Sequence, residues 1–153
     1  EVARLLRAAA GNDDRVYVRL SSKQNRWAYD VSPRLQVVRR AGDPLVVAVG
    51  PMLDPVLEAV ADLDVTVAYT HTPRPFDTAG LRALARQDVV LVEPYLAGTS
   101  GRFVDEALAD RPHRTLHLGV GRAEIRHYGS PKDHARAHGL DAAGLRRSIG
   151  AFL

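Results

Sequence analysis

The stretch PLVVAVGPMLDPVLEAV, Pro44 to Val60, decides how the rest of the chain is read. Leu45 to Val49 are five consecutive apolar residues with no polar alternation, the pattern of a strand covered on both faces. Gly50 ends the run. Asp54 then reads as an N-cap and Pro55 as a first-turn proline, leading into a helix over 56–63. A doubly buried strand followed at once by a helix is the repeating unit of a parallel α/β sheet.

The unit recurs downstream. Residues 64–69 read as a strand, with Asp77 capping a helix over 79–86. Residues 88–92 read as a second buried strand, ending at Glu93-Pro94, with a helix over 102–109 after the loop YLAGTSG. Residues 115–118 read as the last strand. Ser130-Pro131-Lys132-Asp133 is a capped helix start, Gly139 a stop, and Asp141 the cap of a final helix to Leu153. Upstream, Leu35 to Arg40 alternates and ends at the turn AGDP. Val2, Leu5, Leu6 and Ala9 share helical spacing with Gly11 as a stop, and residues 15–20 read as a strand. The alternation predicts a mostly parallel sheet with helices on both faces. No solenoid-length repeat and no low-complexity tract interrupts it. The composition shifts most between Ser21 and Pro33, where a domain boundary is placed.

Composition narrows the function classes. With 153 residues, 46% of them hydrophobic, the chain suits one medium domain, or a domain plus a fragment, with a full core. No run of about 18 apolar residues exists, so no membrane-spanning helix is predicted. Glu1-Val2-Ala3-Arg4 does not resemble a signal peptide and there is no initiator Met, so the chain is expected to begin inside a longer protein. The absence of cysteine excludes disulfides, thiolate metal sites and Cys nucleophiles, and fits a cytoplasmic protein. The net charge of +3 comes with arginines spread along the chain rather than clustered, so no nucleic-acid partner is expected.

Several groups are candidates for chemistry. Thr99-Ser100-Gly101 precedes a helix, where free N–H groups would suit an anion. Thr99 and Ser100 serve equally well as caps. A small nucleotide-binding α/β protein could use the same loop. Glu93, at the C-terminal end of a strand, sits where open α/β sheets place ligands. It could act as a base or bond the amides of the next loop. GVGRAE after the last strand lacks the third glycine of a dinucleotide fingerprint and has no apolar helix behind it. His134 and His138 are four apart, but without a Glu in H-E-x-x-H order they read as a surface pair. His117 reads as a packed histidine in a strand; His113 and His127 fit no pattern. No G-x-S-x-G elbow, P-loop or G-D-G diphosphate motif is present.

The order of these segments resembles the C-terminal domain of the transketolase family of thiamine-diphosphate-dependent enzymes. PLVVAVGPMLDPVLEAV is similar to its strand-glycine-helix opening. Arg74-Pro75-Phe76-Asp77 resembles its K-P-L-D turn, and VVLVEPYLAGTSGRFVDEALAD its V-E-E…G-G…G-x-x-V-x-E-A-L segment. HGLDAAGLRRSI resembles its closing helix. The resemblance implies a three-layer α/β/α domain over 34–153. Its five-stranded, mostly parallel mixed sheet would have the first strand antiparallel. Residues 1–33 would be the tail of the preceding pyrimidine-binding domain plus a linker. LSSKQN, residues 20–25, resembles the family's L-S-R-Q-N segment, whose arginine binds the sugar phosphate. By position Lys23 takes that role, with Arg19 and Arg26 as secondary candidates. Lysine offers a point charge where arginine offers a planar fork. His71 also falls where the family often has Arg, and Tyr95 where Glu-Glu or Glu-His pairs are common.

The resemblance implies a C-terminal fragment of an enzyme that transfers a two-carbon ketol unit between sugar phosphates, using thiamine diphosphate and Mg²⁺. The glutamate that activates the thiazolium and the G-D-G…N motif that holds the diphosphate lie in other domains, so no cofactor and no catalytic residue is expected in this fragment. Its implied tasks are scaffold, dimerisation and substrate-phosphate contact. Its implied partners are the pyrimidine- and diphosphate-binding domains and a second copy of the full enzyme. The alternative is the C-terminal part of a 2-oxo acid dehydrogenase beta-type subunit that docks an acyltransferase.

Overall fold

A computed structural model of the chain describes residues 1–153 except Asn12, Asp14, Ile125 and His127. The expectation about His127 therefore lies outside the described residues. Five strands form one sheet: β1 (Gln36–Arg39), β2 (Leu45–Val49), β3 (Thr66–Thr70), β4 (Asp88–Leu96) and β5 (Arg114–Val120). Their spatial order is β1-β3-β2-β4-β5. β1 runs antiparallel to β3, and the remaining pairs are parallel. The helices are α1 (Val2–Ala10), α2 (Leu53–Ala59), α3 (Thr78–Leu84), α4 (Gly101–Ala107), α5 (Pro131–Ala137) and α6 (Ala142–Phe152). This is the three-layer α/β/α domain that the resemblance implies.

The layers follow from strand alternation. Val46 and Ala48 of β2 face one way with Val67, Tyr69, Val90 and Val92, and α2 and α6 cover them through Val56, Leu145 and Ile149. Leu45, Val47 and Val49 face the other way with Ala68, Val89 and Leu91, covered by Leu81 of α3 and Val104 of α4. Every residue of β2 is buried, as its unbroken apolar run requires.

Three local expectations are corrected. Residues 15–20 form no strand. Val16, Tyr17 and Leu20 are exposed, and among the described residues no strand pairs with them, so their backbone has no ladder to join. The α2 helix begins before Asp54. Gly50, at φ 56°, turns the chain into a 3-10 turn over Gly50–Met52, so Asp54 lies in the first helical turn rather than at the cap. Finally, β4 does not end at Pro94. That residue has no N–H to give the ladder, so pairing with β5 breaks after Val92 and resumes at Leu96 opposite Val120.

Gly119 explains the GVG sequence without a cofactor. A Cβ there would lie 2.5 Å from the Tyr95 carbonyl oxygen and 2.8 Å from Ala97 backbone atoms. The irregular end of β4 passes so close that only glycine fits.

Candidate functional site

Segment 21–26 has no regular structure, yet it is tied to the domain. The Asn25 side-chain amide donates to the Gly50 carbonyl at 3.0 Å, and the Arg26 N–H donates to Asp54 at 2.6 Å. Asp54 is thus used to hold this segment against the start of α2. Between them, the Lys23 N–H donates to Ser21 Oγ at 3.1 Å, a local turn that fixes the backbone under Lys23. The Lys23 side chain is exposed and borders an open cleft of about 390 Å³, lined also by Gln24, Pro51, Pro55, Glu58, Lys132 and Arg136. Arg19 and Arg26 are exposed but do not line it.

The segment N-terminal to it is also latched. Tyr69 at the end of β3 is buried, and its hydroxyl donates to Glu1 at 2.6 Å. Burial first, and then the Glu1 carboxylate, push the Tyr69 hydroxyl far above the ordinary tyrosine range. Tyr29 packs on the same ring at 5.0 Å between centroids. His71 meets residues 30–32 through its Nε2, which accepts from the Ser32 N–H at 3.2 Å.

The TSG loop lies elsewhere, against the C-terminal ends of β4 and β5. Its N–H groups already have internal partners. Thr99 donates to the Leu96 carbonyl at 3.2 Å and Gly101 to the Gly98 carbonyl at 3.0 Å. The Ser100 N–H donates to Glu93 Oε2 at 3.3 Å. Glu93 is wholly buried, so its carboxylate stands where an external anion would have to sit. Ser100 is the residue before α4, but its hydroxyl accepts from Arg74 at 3.0 Å instead of capping the helix. Arg74 also donates to the Thr99 carbonyl at 3.1 Å and lies 4.5 Å over the Phe103 ring.

Around Glu93 are other buried polar groups. Glu93 Oε1, the Tyr95 hydroxyl and His117 Nδ1 have no hydrogen-bond partner among the described residues. Burial pushes the Tyr95 hydroxyl above its ordinary value, and the charge of the nearby Glu93 carboxylate adds to it. His117 packs on the loop: a Cβ on Gly101 would lie 3.0 Å from its Cε1. His138 Nδ1 accepts from the Gly121 N–H at 3.2 Å, and His113 Nδ1 lies 2.9 Å from the Arg111 carbonyl.

Among the described residues no three His, Asp or Glu side chains converge to hold a metal ion.

Sequence reasoning reached Lys23, Glu93 and the TSG loop but missed Lys132, Arg136 and Glu58. Lys132 and Arg136 are four apart and so share one face of α5. That spacing was the available signal. Nothing local says that α5 lies beside residue 23.

No family model matches the chain. Over its whole length it is 50% identical to an uncharacterized 33.6 kDa protein in the fasciation locus of Rhodococcoides fascians, and it spans 51% of that protein. Over 73% of its length it is 40% identical to 1-deoxy-D-xylulose-5-phosphate synthase of Acidovorax ebreus, covering 19% of the synthase. The same synthase of Vibrio parahaemolyticus is 33% identical over 77% of the chain, which covers 20% of it. The chain thus spans about half the first relative and about a fifth of the synthases. In fold it superposes on a split-gene transketolase solved as an inactive β4 tetramer, with a TM-score of 0.79 and 24% identity. That superposition covers 97% of this chain and 53% of the other. Motif order, the mixed sheet with its antiparallel first strand, and these relatives agree: the chain carries a C-terminal domain of the transketolase family.

Proposed function

We propose that this chain is the C-terminal portion of a thiamine-diphosphate enzyme that transfers a two-carbon ketol unit between sugar phosphates. Residues 34–153 form the scaffold domain, and residues 1–33 are the tail of the preceding pyrimidine-binding domain. The full enzyme is a cytoplasmic homodimer in which Mg²⁺ and thiamine diphosphate are held by the other domains. When bound, the cofactor supplies the carbanion chemistry. This chain's own task is to support the assembly and to hold the substrate's phosphate at Lys23.

One observation carries this proposal. The segment bearing Lys23 is fastened to the domain by Asn25 and Arg26, and its ammonium borders an open cleft. A solvated loop would need no such anchoring. The exposure of Val16, Tyr17, Leu20 and Trp27 supports the assignment of residues 1–33, because such a run of apolar residues is normally covered. By name, the synthase relatives make a sugar phosphate.

The test compares this chain alone with the chain joined to pyrimidine- and diphosphate-binding domains. Thiamine diphosphate binding and ketose-phosphate turnover are expected only in the joined enzyme. Tight cofactor binding and turnover by the chain alone would overturn the proposal. A 2-oxo acid dehydrogenase beta-type subunit that docks an acyltransferase is the second proposal. It draws on Lys23 itself, whose point charge lacks the planar bidentate match to phosphate that an arginine fork gives and so leaves room for a non-phosphorylated acceptor.

A further inference from the structure

Residues 30–32 join segment 1–29 to the domain, and His71, just past the end of β3, touches them at two points with one atom. His71 Nε2 accepts from the Ser32 N–H at 3.2 Å and lies 3.1 Å from the Asp30 carbonyl oxygen. The first partner is a donor and the second an acceptor, so a single ring nitrogen cannot bond both at once. The other nitrogen, Nδ1, lies 2.8 Å from Thr72 Oγ1, a hydroxyl that can donate or accept as the ring requires. Thr72 therefore holds the ring in place without choosing between its protonation states. An arginine, which the family often carries at this position, could only donate; a histidine can do either.

Each state of the ring has its own tether. Accepting from Ser32 puts the neutral ring's proton on Nδ1, so Nε2 presents a lone pair and faces the Asp30 carbonyl without bonding it. That carbonyl still has a donor, because the Gln36 side-chain amide reaches it at 2.8 Å. When the ring takes up a second proton, both nitrogens become donors. Nε2–H then makes a charge-assisted bond to the Asp30 carbonyl, and the Ser32 N–H is left facing another N–H. Ser32 is only half-buried, so water can take its amide. Around the joint, Tyr69 of β3 meets the ring edge-on at 6.2 Å with its hydroxyl tied to Glu1. Tyr29 packs on Tyr69, and Arg4 of α1 donates to the Tyr29 carbonyl at 2.9 Å and lies 4.0 Å from the Asp30 carboxylate. β1 presents the uncharged Gln36, and Arg34 before it is 3.6 Å from Asp77. The carboxylates of Glu1, Asp30 and Asp77 thus each have a partner of their own, which leaves the switching proton to His71.

We propose that His71 is a proton-operated switch in this joint: the neutral ring tethers the linker at the Ser32 amide, and the imidazolium tethers it at the Asp30 carbonyl. Protonation moves the hold on the linker by two residues, from Ser32 to Asp30, and frees the amide nearer the domain. Segment 1–29 reaches the domain through these residues, so the position of the tether sets how that segment bears on the end of β3. The proposal concerns the joint alone and does not depend on the role given to Lys23.

The chain itself is the test material, labelled with nitrogen-15 and followed by NMR from about pH 8 down to about pH 5. At the upper end, the imidazole nitrogen shifts of His71 should show the proton on Nδ1 and a bare Nε2. As His71 titrates, the Ser32 amide shift should move with the same midpoint. The hydrogen-exchange protection of that amide, corrected for the intrinsic pH dependence of exchange, should fall about tenfold. His71→Gln should remove the Ser32 inflection, whereas Glu1→Gln and Asp30→Asn should keep it. The coincidence of midpoints in the wild-type chain remains a test even where a variant fails to fold. A neutral ring with its proton on Nε2, a Ser32 amide indifferent to the His71 titration, or an inflection that survives His71→Gln would each overturn the proposal. So would its loss in either carboxylate variant, which would assign the response to that carboxylate.

Discussion

Arg39 shows what a single side chain does in this fold. Its guanidinium donates to the carbonyls of Val60 and Leu63 at 2.8 Å and of Val65 at 3.1 Å, which lie in the turn that leaves α2. These carbonyls follow the last helical turn; those of Val60 and Leu63 also accept the N–H groups of Leu63 and Val65, each at 3.0 Å, so Arg39 supplies their second donor. Arg39→Met keeps the aliphatic stem but removes the charged donor shared by the three carbonyls, and should destabilise the domain by about 2 kcal/mol in urea unfolding. Gly119→Ala should cost about 1–3 kcal/mol by the same measurement, because the added Cβ meets backbone atoms rather than a side chain that could turn away. The residue scale is also where the sequence was hardest to read. GVG resembled a cofactor loop, whereas its first glycine, Gly119, answers to the close pass of β4. Glu93 was equally readable as a base or as an amide acceptor until Ser100 was placed beside it.

At the scale of elements, ion pairs tie neighbours together. Arg82 of α3 grips Asp110 with two bonds of 2.6 Å just beyond α4, and Arg114 of β5 grips Asp88 of β4. The Arg82 guanidinium, by hydrogen bonding, holds the Asp110 carboxyl at about 2, below its ordinary 3.8. A carboxyl depressed in the folded state stabilises above its unfolded value, and that contribution is lost as pH falls through the folded one. The difference in melting temperature between wild type and Asp110→Asn should therefore be constant above about pH 5 and vanish near pH 2. Because the pair is exposed, the difference should be small and shrink in high salt. Among the elements, β2 and β4 were legible because an unbroken apolar run leaves few alternatives. Residues 15–20 have strand composition but no ladder partner, and composition alone cannot supply one.

The whole molecule is a sheet sealed on both faces, with α2 and α6 against one and α3 and α4 against the other. Leu145 of α6 is fully buried in the first layer, so Leu145→Ala should lower unfolding stability by about 2–5 kcal/mol in chemical denaturation. Alternating strands and helices made the parallel sheet readable. Neither the order β1-β3-β2-β4-β5 nor the reversed direction of β1 could be read from local pattern, because both depend on which edges meet; the resemblance implied the reversed strand. The cleft was illegible for the same reason. Its walls come from segment 21–26, the start of α2 and α5, and only the folded chain brings Lys23 to Lys132.

The measurement that bears most directly on the proposed role is steady-state kinetics of the enzyme with all its domains, comparing wild type with Lys23→Ala on phosphorylated and non-phosphorylated acceptors. A phosphate contact at Lys23 predicts a loss of about 1.5–3 kcal/mol in kcat/KM with the phosphorylated acceptor alone. Equal activity of the two enzymes with both acceptors would contradict it and leave Lys23 as a solvated side chain on an anchored loop.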